Sequence, residues 1–343
     1  MAKLIYSREE LLAEHAYARP HEAAGRKLHG GFSADGAYIS PRTLHREGAI
    51  QAWREALLAR GGSLLSCDLS LLPSPIYPNA AQQSVLLAAG LGQNLWNSLS
   101  ITGAIEGNGR LLIDLVSPRF DKVIQEDITE TAIGHLHKGL LVAHGMDEGG
   151  APGSGLGAHD EMWFALRDLA LGHDTWPMPE VPDSISRPEA GRLFPMLPEP
   201  IEGMLSLLMN VLLIEVRAEK VFTASQDLLS RPELFSQPAE NVALAHTLIE
   251  RIRIDEAVHV DYLQLVLSEL RHLTFLTGEG KEVAGAAIID PAWQTVVQWH
   301  GVENPRLARE QQVPLMREHI LTHAEGEALL ARFEAQNEPL AAA

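Results

Sequence analysis

The chain has 343 residues, of which 46% are hydrophobic and 21% charged, so it carries enough apolar sequence for a well-filled core and does not resemble a disordered protein. Lys and Arg number 27 against 45 Asp and Glu, which gives a formal net charge of −18. This balance argues against sequence-independent binding to nucleic acid and against an anionic membrane surface, because both need a cationic face.

The amino-terminal residues indicate a protein without a secretion signal. The first 15 residues (MAKLIYSREELLAEH) contain no apolar segment of signal-peptide length and become acidic at once. Cys67 is the single cysteine, so no intrachain disulfide can form, as expected in a reducing compartment. We therefore expect a cytoplasmic protein.

An uncharged run follows, since residues 69–105 include no charged residue and no histidine. A membrane helix needs about 20 predominantly apolar residues, whereas prolines and amides interrupt this segment. We interpret residues 78–105 as an interior helix of a globular protein. Its polar side chains Gln93, Asn94 and Asn97 then need partners inside the protein.

Helical periodicity recurs along the rest of the chain, while alternating β patterns are nearly absent. Seven prolines between residues 173 and 200 exclude a helix there and predict an extended crossover. In addition to the uncharged segment, helices are predicted at residues 41–60, 119–146, 159–171, 200–229, 238–273, 291–300 and 304–336.

The order of these elements predicts the fold class. Two long helices, one long crossover and two further long helices are typical of the ferritin-like variant of a four-helix bundle. The sequence therefore predicts an all-α protein with a ferritin-like bundle at residues 77–275. Residues 1–76 are expected to form a helical N-terminal extension, and residues 276–343 a helical C-terminal extension packed on the bundle.

The helix at 238–273 carries the most specific chemical signal. Glu256 and His259 lie one turn apart on a stripe that is otherwise apolar. A buried carboxylate without a partner is costly, and a metal ion would satisfy both side chains. A second Glu-x-x-His pair, Glu269 with His272, has its Glu towards the polar side of the same helix.

The preceding helix, at 200–229, places Glu215 and Glu219 on its apolar stripe. These carboxylates are candidate metal ligands. The competing interpretation is that they pair with Arg251 or Arg253, or line a solvated crevice.

The helix at 119–146 offers further candidates. Glu130 and His137 share one face, and His135 lies to the side. The segment 129–135 is similar to Asp-Glu-Ala-Val-His at 255–259 with two extra residues, which a π-bulge could absorb. The sequence leaves open whether His135 or His137 is the ligand.

Together these residues resemble the second half of the ferritin-like di-metal carboxylate proteins, over about 200 residues from 79 to 273. In that family, two helices give one Glu each and two give Glu-x-x-His, all pointing inward. The resemblance implies the following metal-site roles: Glu256 and His259 bind one ion, Glu130 with His135 or His137 binds the other, Glu219 bridges, and Glu215 is a reserve ligand or proton relay. The first helix offers only Glu106, near its end.

Two weaker signals receive structural interpretations. His159, Asp160 and Glu161 open a helix, where acidic residues favour the positive end of the helix dipole. The glycine-rich segment 153–157 follows no predicted strand, so it does not match a dinucleotide-binding fingerprint.

We therefore expect a non-haem di-iron (or iron/manganese) oxidase or oxygenase that uses O2 and an electron donor to oxidise a small organic substrate. No side chain is assigned a catalytic role beyond metal binding, and a homodimer is left open. One alternative is a metal-free helical binding or scaffold protein with a buried Glu/His network. Another is a related helical oxygenase fold with different iron ligands.

Overall fold

The structure is a computed structural model that describes residues 2–182, 186–188 and 191–340, and it is mostly helical. The α-helices are α1 (Arg8–Leu11), α2 (Arg46–Ala59), α3 (Ala80–Ala88), α4 (Gln93–Asn108), α5 (Ala132–His135), α6 (Leu141–Gly149), α7 (His159–Leu171), α8 (Glu199–Leu229), α9 (Ala239–His272), α10 (Gly285–Gln298), α11 (Asn304–Leu321) and α12 (Gly326–Glu334). The strands are β1 (Arg19–Ala23), β2 (Arg26–Phe32), β3 (Tyr38–Ile39), β4 (Thr274–Leu276) and β5 (Glu282–Ala284). Short 3₁₀ turns occupy Leu69–Leu71, Gly109–Asp114, Phe120–Lys122 and Pro232–Leu234, and π-helical turns occupy Leu136–Leu140 and Trp299–Glu303.

The long helices α8 and α9 pair along their length, and α9 also packs on α7, which in turn packs on α4. Both long helices begin directly after a proline, Pro198 and Pro238, whose fixed φ suits the start of a helix. The middle of α9 is buried on nearly all sides, because α2, α5, α7, α8 and α10 all contact it. The sequence prediction for α7 is confirmed in full, and those for α8 and α9 are confirmed to within one residue at each end.

The single helix predicted at 119–146 is wrong. The chain there is a 3₁₀ turn, a loop, α5, a π-helical turn and α6. The Thr131 side chain accepts a hydrogen bond from the Gly134 N–H and so starts a new helix. Gly134 also allows a sharp bend, since a Cβ at this residue would lie 1.9 Å from the Ile128 carbonyl oxygen.

The uncharged segment likewise forms two helices, α3 and α4, where the sequence predicts one. Gly90 separates them with φ +77°, in the left-handed region that favours glycine. Gln93 and Asn94 are half-buried, and the side-chain oxygen Oδ1 of Asn94 accepts a hydrogen bond from the side-chain amide of Gln83. The run is therefore largely buried, although its amides are not fully enclosed.

The N-terminal extension contains an antiparallel sheet in the order β1-β2-β3, so the prediction of helices alone is wrong for residues 19–39. Two adjacent glycines explain part of this path. Gly30 has φ +69°, and a Cβ on Gly31 would lie 2.4 Å from the Tyr17 ring. The sheet packs against α7 through β2, which brings its side chains to the centre of the protein.

The C-terminal residues pack on the helical core, α10 against α9 and α12 against α3. The chain division predicted at 76/77 and 275/276 stays a prediction. Within the described residues, no helix is both long enough and apolar enough to span a membrane.

The bend before α5 yields a stability prediction. Gly134→Ala should lower the free energy of unfolding by at least about 2 kcal/mol, because the added methyl group meets the Ile128 carbonyl. Gly203→Ala is the matched control, since Gly203 is an exposed residue within α8 with open space around its Cβ position. The control should gain roughly 0.5–1 kcal/mol from helix propensity. Urea unfolding of both variants checks the difference, and similar effects in the two would contradict it.

Candidate metal centre

A cluster of carboxylates and imidazoles lies at the centre of the helical core, on five different helices. Its members are buried, and only the Glu106 side chain keeps a noticeable exposed fraction, 12%. Its ligand-type atoms form two overlapping groups, within each of which every atom lies within 4.8 Å of the others. The members are Glu106 on α4, His144 and Glu148 on α6, His159 at the start of α7, Glu215 on α8, and Glu256 and His259 on α9.

The first group surrounds Nδ1 of His159. This atom lies 3.1 Å from Glu256 Oε1, 3.4 Å from Glu148 Oε1 and 3.6 Å from Glu106 Oε2. One imidazole nitrogen thus faces three carboxylates from three helices. These four side chains could hold a metal ion.

The second group contains two histidines, whose rings stack with centroids 3.9 Å apart. Nε2 of His144 lies 3.1 Å from Glu215 Oε1 and 3.4 Å from Glu148 Oε1. Nδ1 of His259 lies 3.1 Å from the same Glu148 oxygen. These four side chains could also hold a metal ion.

Two carboxylates join the groups. Glu148 belongs to both. Glu256 contacts one histidine of each group, with its Oε1 3.1 Å from His159 Nδ1 and its Oε2 2.7 Å from His259 Nδ1. The cluster therefore has two lobes with Glu148 and Glu256 between them.

An aspartate orients one histidine of each lobe from outside. Nε2 of His259 lies 3.1 Å from Asp147 Oδ2, and Nε2 of His159 lies 3.3 Å from Asp255 Oδ2. A carboxylate that accepts the Nε2–H leaves Nδ1 as a lone-pair donor towards the centre, which is the arrangement of histidines that bind metals. Each aspartate directly precedes one of the joining glutamates in sequence, Glu148 or Glu256.

Two arginines at the start of α2 and in the turn before it hold Asp147. Arg42 Nε lies 2.8 Å from its Oδ1, and Arg46 Nη2 lies 2.7 Å from its Oδ2. Burial alone would raise the pKa of Asp147, but the two guanidinium groups hold it well below its usual range. Asp147 is therefore a fixed negative partner for His259.

The N-terminal sheet supports Asp255. The Tyr38 hydroxyl donates a hydrogen bond of 2.9 Å to Oδ2, and His29 Nε2 lies 3.3 Å from the same oxygen. Burial opposes ionisation of Asp255, yet the neighbouring imidazoles of His159 and His29 lower its pKa below the usual range. His29, His159 and Asp255 form a third cation-compatible group, which shares His159 with the first lobe.

Three buried atoms at the centre test whether this donor set fits a metal. Glu148 Oε1, Glu256 Oε1 and His159 Nδ1 have no hydrogen-bond partner, although they face one another. Each unsatisfied buried polar atom costs about 1–3 kcal/mol. A cation among them would satisfy all three, so the residues present fit a metal ion.

The electrostatics of the cluster lead to the same conclusion. Burial and the charges of Glu256 and Glu106 raise the pKa of Glu148 well above its usual range. Burial and Glu256 raise the pKa of Glu215 to about 7. Both shifts have the same two causes, burial and the repulsion of neighbouring carboxylates, and a divalent cation among these oxygens would offset both.

The structure brings together three of the seven residues proposed from sequence, namely Glu215, Glu256 and His259. Glu219 lies on the outer side of α8 and forms a two-point ion pair with Arg253, one contact being 2.8 Å. For Glu219 the structure therefore agrees with the alternative to metal binding given above, an ion pair with Arg253.

The other three lie away from the cluster. Glu130 is exposed in the loop before α5, and His137 is exposed on the π-helical turn. His135 is buried, but its Nε2 accepts a hydrogen bond from the Tyr6 N–H at 3.0 Å and its Nδ1 lies 2.7 Å from the Thr131 carbonyl oxygen. Both of its nitrogens are therefore occupied.

Sequence reasoning did not assign His144, Glu148 and His159 to the site. A signal for them exists, because Asp147-Glu148 repeats the doublet Asp255-Glu256. In α9 the histidine follows three residues after the glutamate, whereas α6 ends at Gly149 and the corresponding histidine is His159, after a glycine-rich loop. A search for contiguous Glu-x-x-His misses this interrupted motif.

Comparison with known proteins gives no match, whether with protein-family models, with curated proteins or with solved structures. The function is therefore inferred from the geometry of the cluster itself.

The cluster yields a metal-dependent stability prediction. Mn²⁺ at about 100 times its dissociation constant should raise the free energy of unfolding of the wild type by about 2.7 kcal/mol. Glu148→Gln should abolish most of this gain, since Glu148 contacts both lobes. Without metal, the same variant should be at least as stable as the wild type, because burial and the charges of Glu256 and Glu106 already disfavour a charge at this position, and glutamine cannot ionise.

The control is Glu130→Gln, which changes an exposed glutamate that the sequence pattern predicted as a metal ligand. It should keep the full stabilisation by Mn²⁺. Thermal unfolding with and without the ion measures both variants. Loss of the effect in Glu130→Gln, or its retention in Glu148→Gln, would show that the cluster is misassigned.

Proposed function

We propose that this protein is a ferritin-like, non-haem di-metal oxidase or oxygenase. In this proposal the buried cluster holds two iron ions, or one iron and one manganese, and the protein uses O2 to oxidise a small organic substrate with electrons from an external donor. The observation that carries the proposal is the two-lobed ligand set, in which Glu148 and Glu256 lie between separate groups of histidines.

The donor set supports this choice of metal. Carboxylates with imidazoles suit iron and manganese, whereas structural zinc sites use four ligands, often thiolates, around a single ion. Here Cys67 is the only cysteine, and it is not a member of the cluster. Seven carboxylate and imidazole side chains exceed what a single tetrahedral ion needs.

Each ion would have its own histidine environment. One would be held by Glu106 and His159, the other by His144, Glu215 and His259, and Glu148 and Glu256 would contribute to both. When bound, the metal ions would supply the redox chemistry with O2 that amino-acid side chains lack.

The surrounding residues prepare the site. Asp147 and Asp255 hold His259 and His159 through their Nε2 atoms, so that the Nδ1 atoms point inward. Tyr262 OH lies 2.7 Å from His144 Nδ1, and this pair holds a proton between them. The surrounding apolar clusters exclude bulk water, which strengthens each of these electrostatic interactions.

The helical order supports the ferritin-like assignment. That superfamily takes Glu from two helices and Glu-x-x-His from the other two. Here α4 gives Glu106, α8 gives Glu215 and α9 gives Glu256 with His259, while α6 gives Glu148 and the next helix gives His159. The departures from the family pattern are the loop between Glu148 and His159 and the additional histidine His144.

Metal content and oxygen consumption test the proposal. Protein expressed with added iron should contain about two metal equivalents per chain, and the ferrous form should consume O2. Glu256→Ala should reduce the content to about a tenth of an equivalent or less, because it removes the carboxylate between the lobes. Glu219→Ala, which changes the outward-facing ion pair, should keep its metal.

A metal content in the wild type as low as in Glu256→Ala would contradict the proposal. The cluster would then be a metal-free polar network in a binding or scaffold protein. Bound metal without O2 consumption by the ferrous form would keep the site and reject the oxidase.

A further inference from the structure

A half-open cavity of about 750 Å³ is lined by α4, α8 and α11 and by the chain that precedes α3. Half of its lining residues come from the uncharged run, between Leu72 and Thr102. Its walls are mainly apolar. The uncharged segment therefore contributes to more than the core, since it builds most of one side of this cavity.

The charge of the lining is opposite to that of the protein. The chain has a net charge of −18, yet the described residues that line the cavity include Arg217, Lys220 and Arg309 and no Asp or Glu. A cavity with cations and no carboxylate favours an anionic occupant.

Of these three cations, Arg217 is the one whose charged group no described residue occupies, so it is free to pair with an anionic occupant. Lys220 Nζ donates to the carbonyl oxygens of Leu72 and Ser74, the latter at 2.7 Å. Arg309 donates to the carbonyl oxygen of Glu338 at 2.8 Å. In the described parts of the chain, the Arg217 side chain has no hydrogen bond and no ion pair, although it is half-buried and burial lowers its pKa. Such a guanidinium lacks the partner that a buried charge needs.

Neutral acceptors also face this space. His300 is buried with its Nε2 3.0 Å from Asn210 Oδ1, while its Nδ1 has no hydrogen-bond partner. Gln83 Oε1 and Asn97 Oδ1 also lack partners, and all three residues line the cavity.

The cavity and the metal-ligand cluster take side chains from the same two helices. On α4, the lining residue Thr102 precedes Glu106 by four residues, about 6 Å along the helix axis. On α8, Arg217 follows Glu215 by two residues and lies on a different face of the helix. Thr102 and Arg217 are therefore the lining residues of α4 and α8 that lie nearest, along each helix, to a member of the cluster.

We propose that this cavity binds a small organic acid with an apolar body, whose carboxylate pairs with the Arg217 guanidinium. A carboxylate matches the fork of donors on arginine. The proposal names the substrate class of the oxidase, and it rests on the proposed function for the role of this acid as substrate.

Two probes of equal shape test the pairing, 3-phenylpropionate and its neutral analogue 3-phenylpropanamide. Calorimetric titration of the full chain as purified should show the carboxylate binding about tenfold more tightly than the amide. In Arg217→Met the two probes should bind equally, and in Arg217→Lys part of the preference should remain. Arg332→Met, which removes an exposed arginine outside the cavity, should keep the wild-type preference.

Equal affinities for the two probes in the wild type, no binding of either at millimolar concentration, or a preference that survives Arg217→Met would each overturn the proposal. Thermal unfolding checks that Arg217→Met is folded, and Arg217→Lys provides the comparison if it is not. The titration is repeated after the metal has been removed with a chelator. If the preference for the carboxylate probe disappears with the metal, the carboxylate binds the metal and not Arg217, and this result also overturns the proposal.

The two tests have separate outcomes. If metal is absent and the Arg217-dependent preference holds, the chain binds an organic acid without being a di-metal oxidase. If metal is present and the preference fails, the oxidase proposal stands with a different substrate class.

Discussion

The burial of four carboxylates around one point is the constraint on which the rest of this structure depends. Glu106, Glu148, Glu215 and Glu256 converge from four helices into a space that the apolar core surrounds. Charges in such an environment are costly unless cations or hydrogen bonds compensate them. Three inward-facing histidines, each linked to an outer carboxylate or hydroxyl, provide part of that compensation, and a divalent metal would provide the remainder.

The N-terminal residues are part of this compensation. Tyr38 binds Asp255, and Arg42 and Arg46 bind Asp147. Each of these contacts fixes an aspartate that in turn orients a histidine of another helix. The short sheet and the turn before α2 therefore act as a support for the site, which explains why buried polar residues occur so far from the long helices in sequence.

Sequence periodicity could predict those site residues whose orientation follows from the pattern within a single helix. Glu256, His259 and Glu215 interrupt apolar stripes, and a stripe within a helix is a local property. Glu219 shares the stripe with Glu215, but it lies towards the edge, where Arg253 on the neighbouring helix reaches it. His159 could not be found in this way, because its position depends on the loop that carries the chain from α6 to α7. Glu130 lies outside the cluster because it precedes the new helix that begins at Ala132, whereas Glu148 lies near the end of α6.

We propose that one set of side chains holds two metal ions, and crystals of the iron- or manganese-loaded protein, measured at the absorption edge of the metal, would locate them. We expect two anomalous peaks roughly 3.5–4 Å apart, one beside His159 and Glu106, the other beside His144, His259 and Glu215, with Glu148 and Glu256 next to both. A map without anomalous density among these side chains, or with peaks only beside Glu130 and His137, would contradict it.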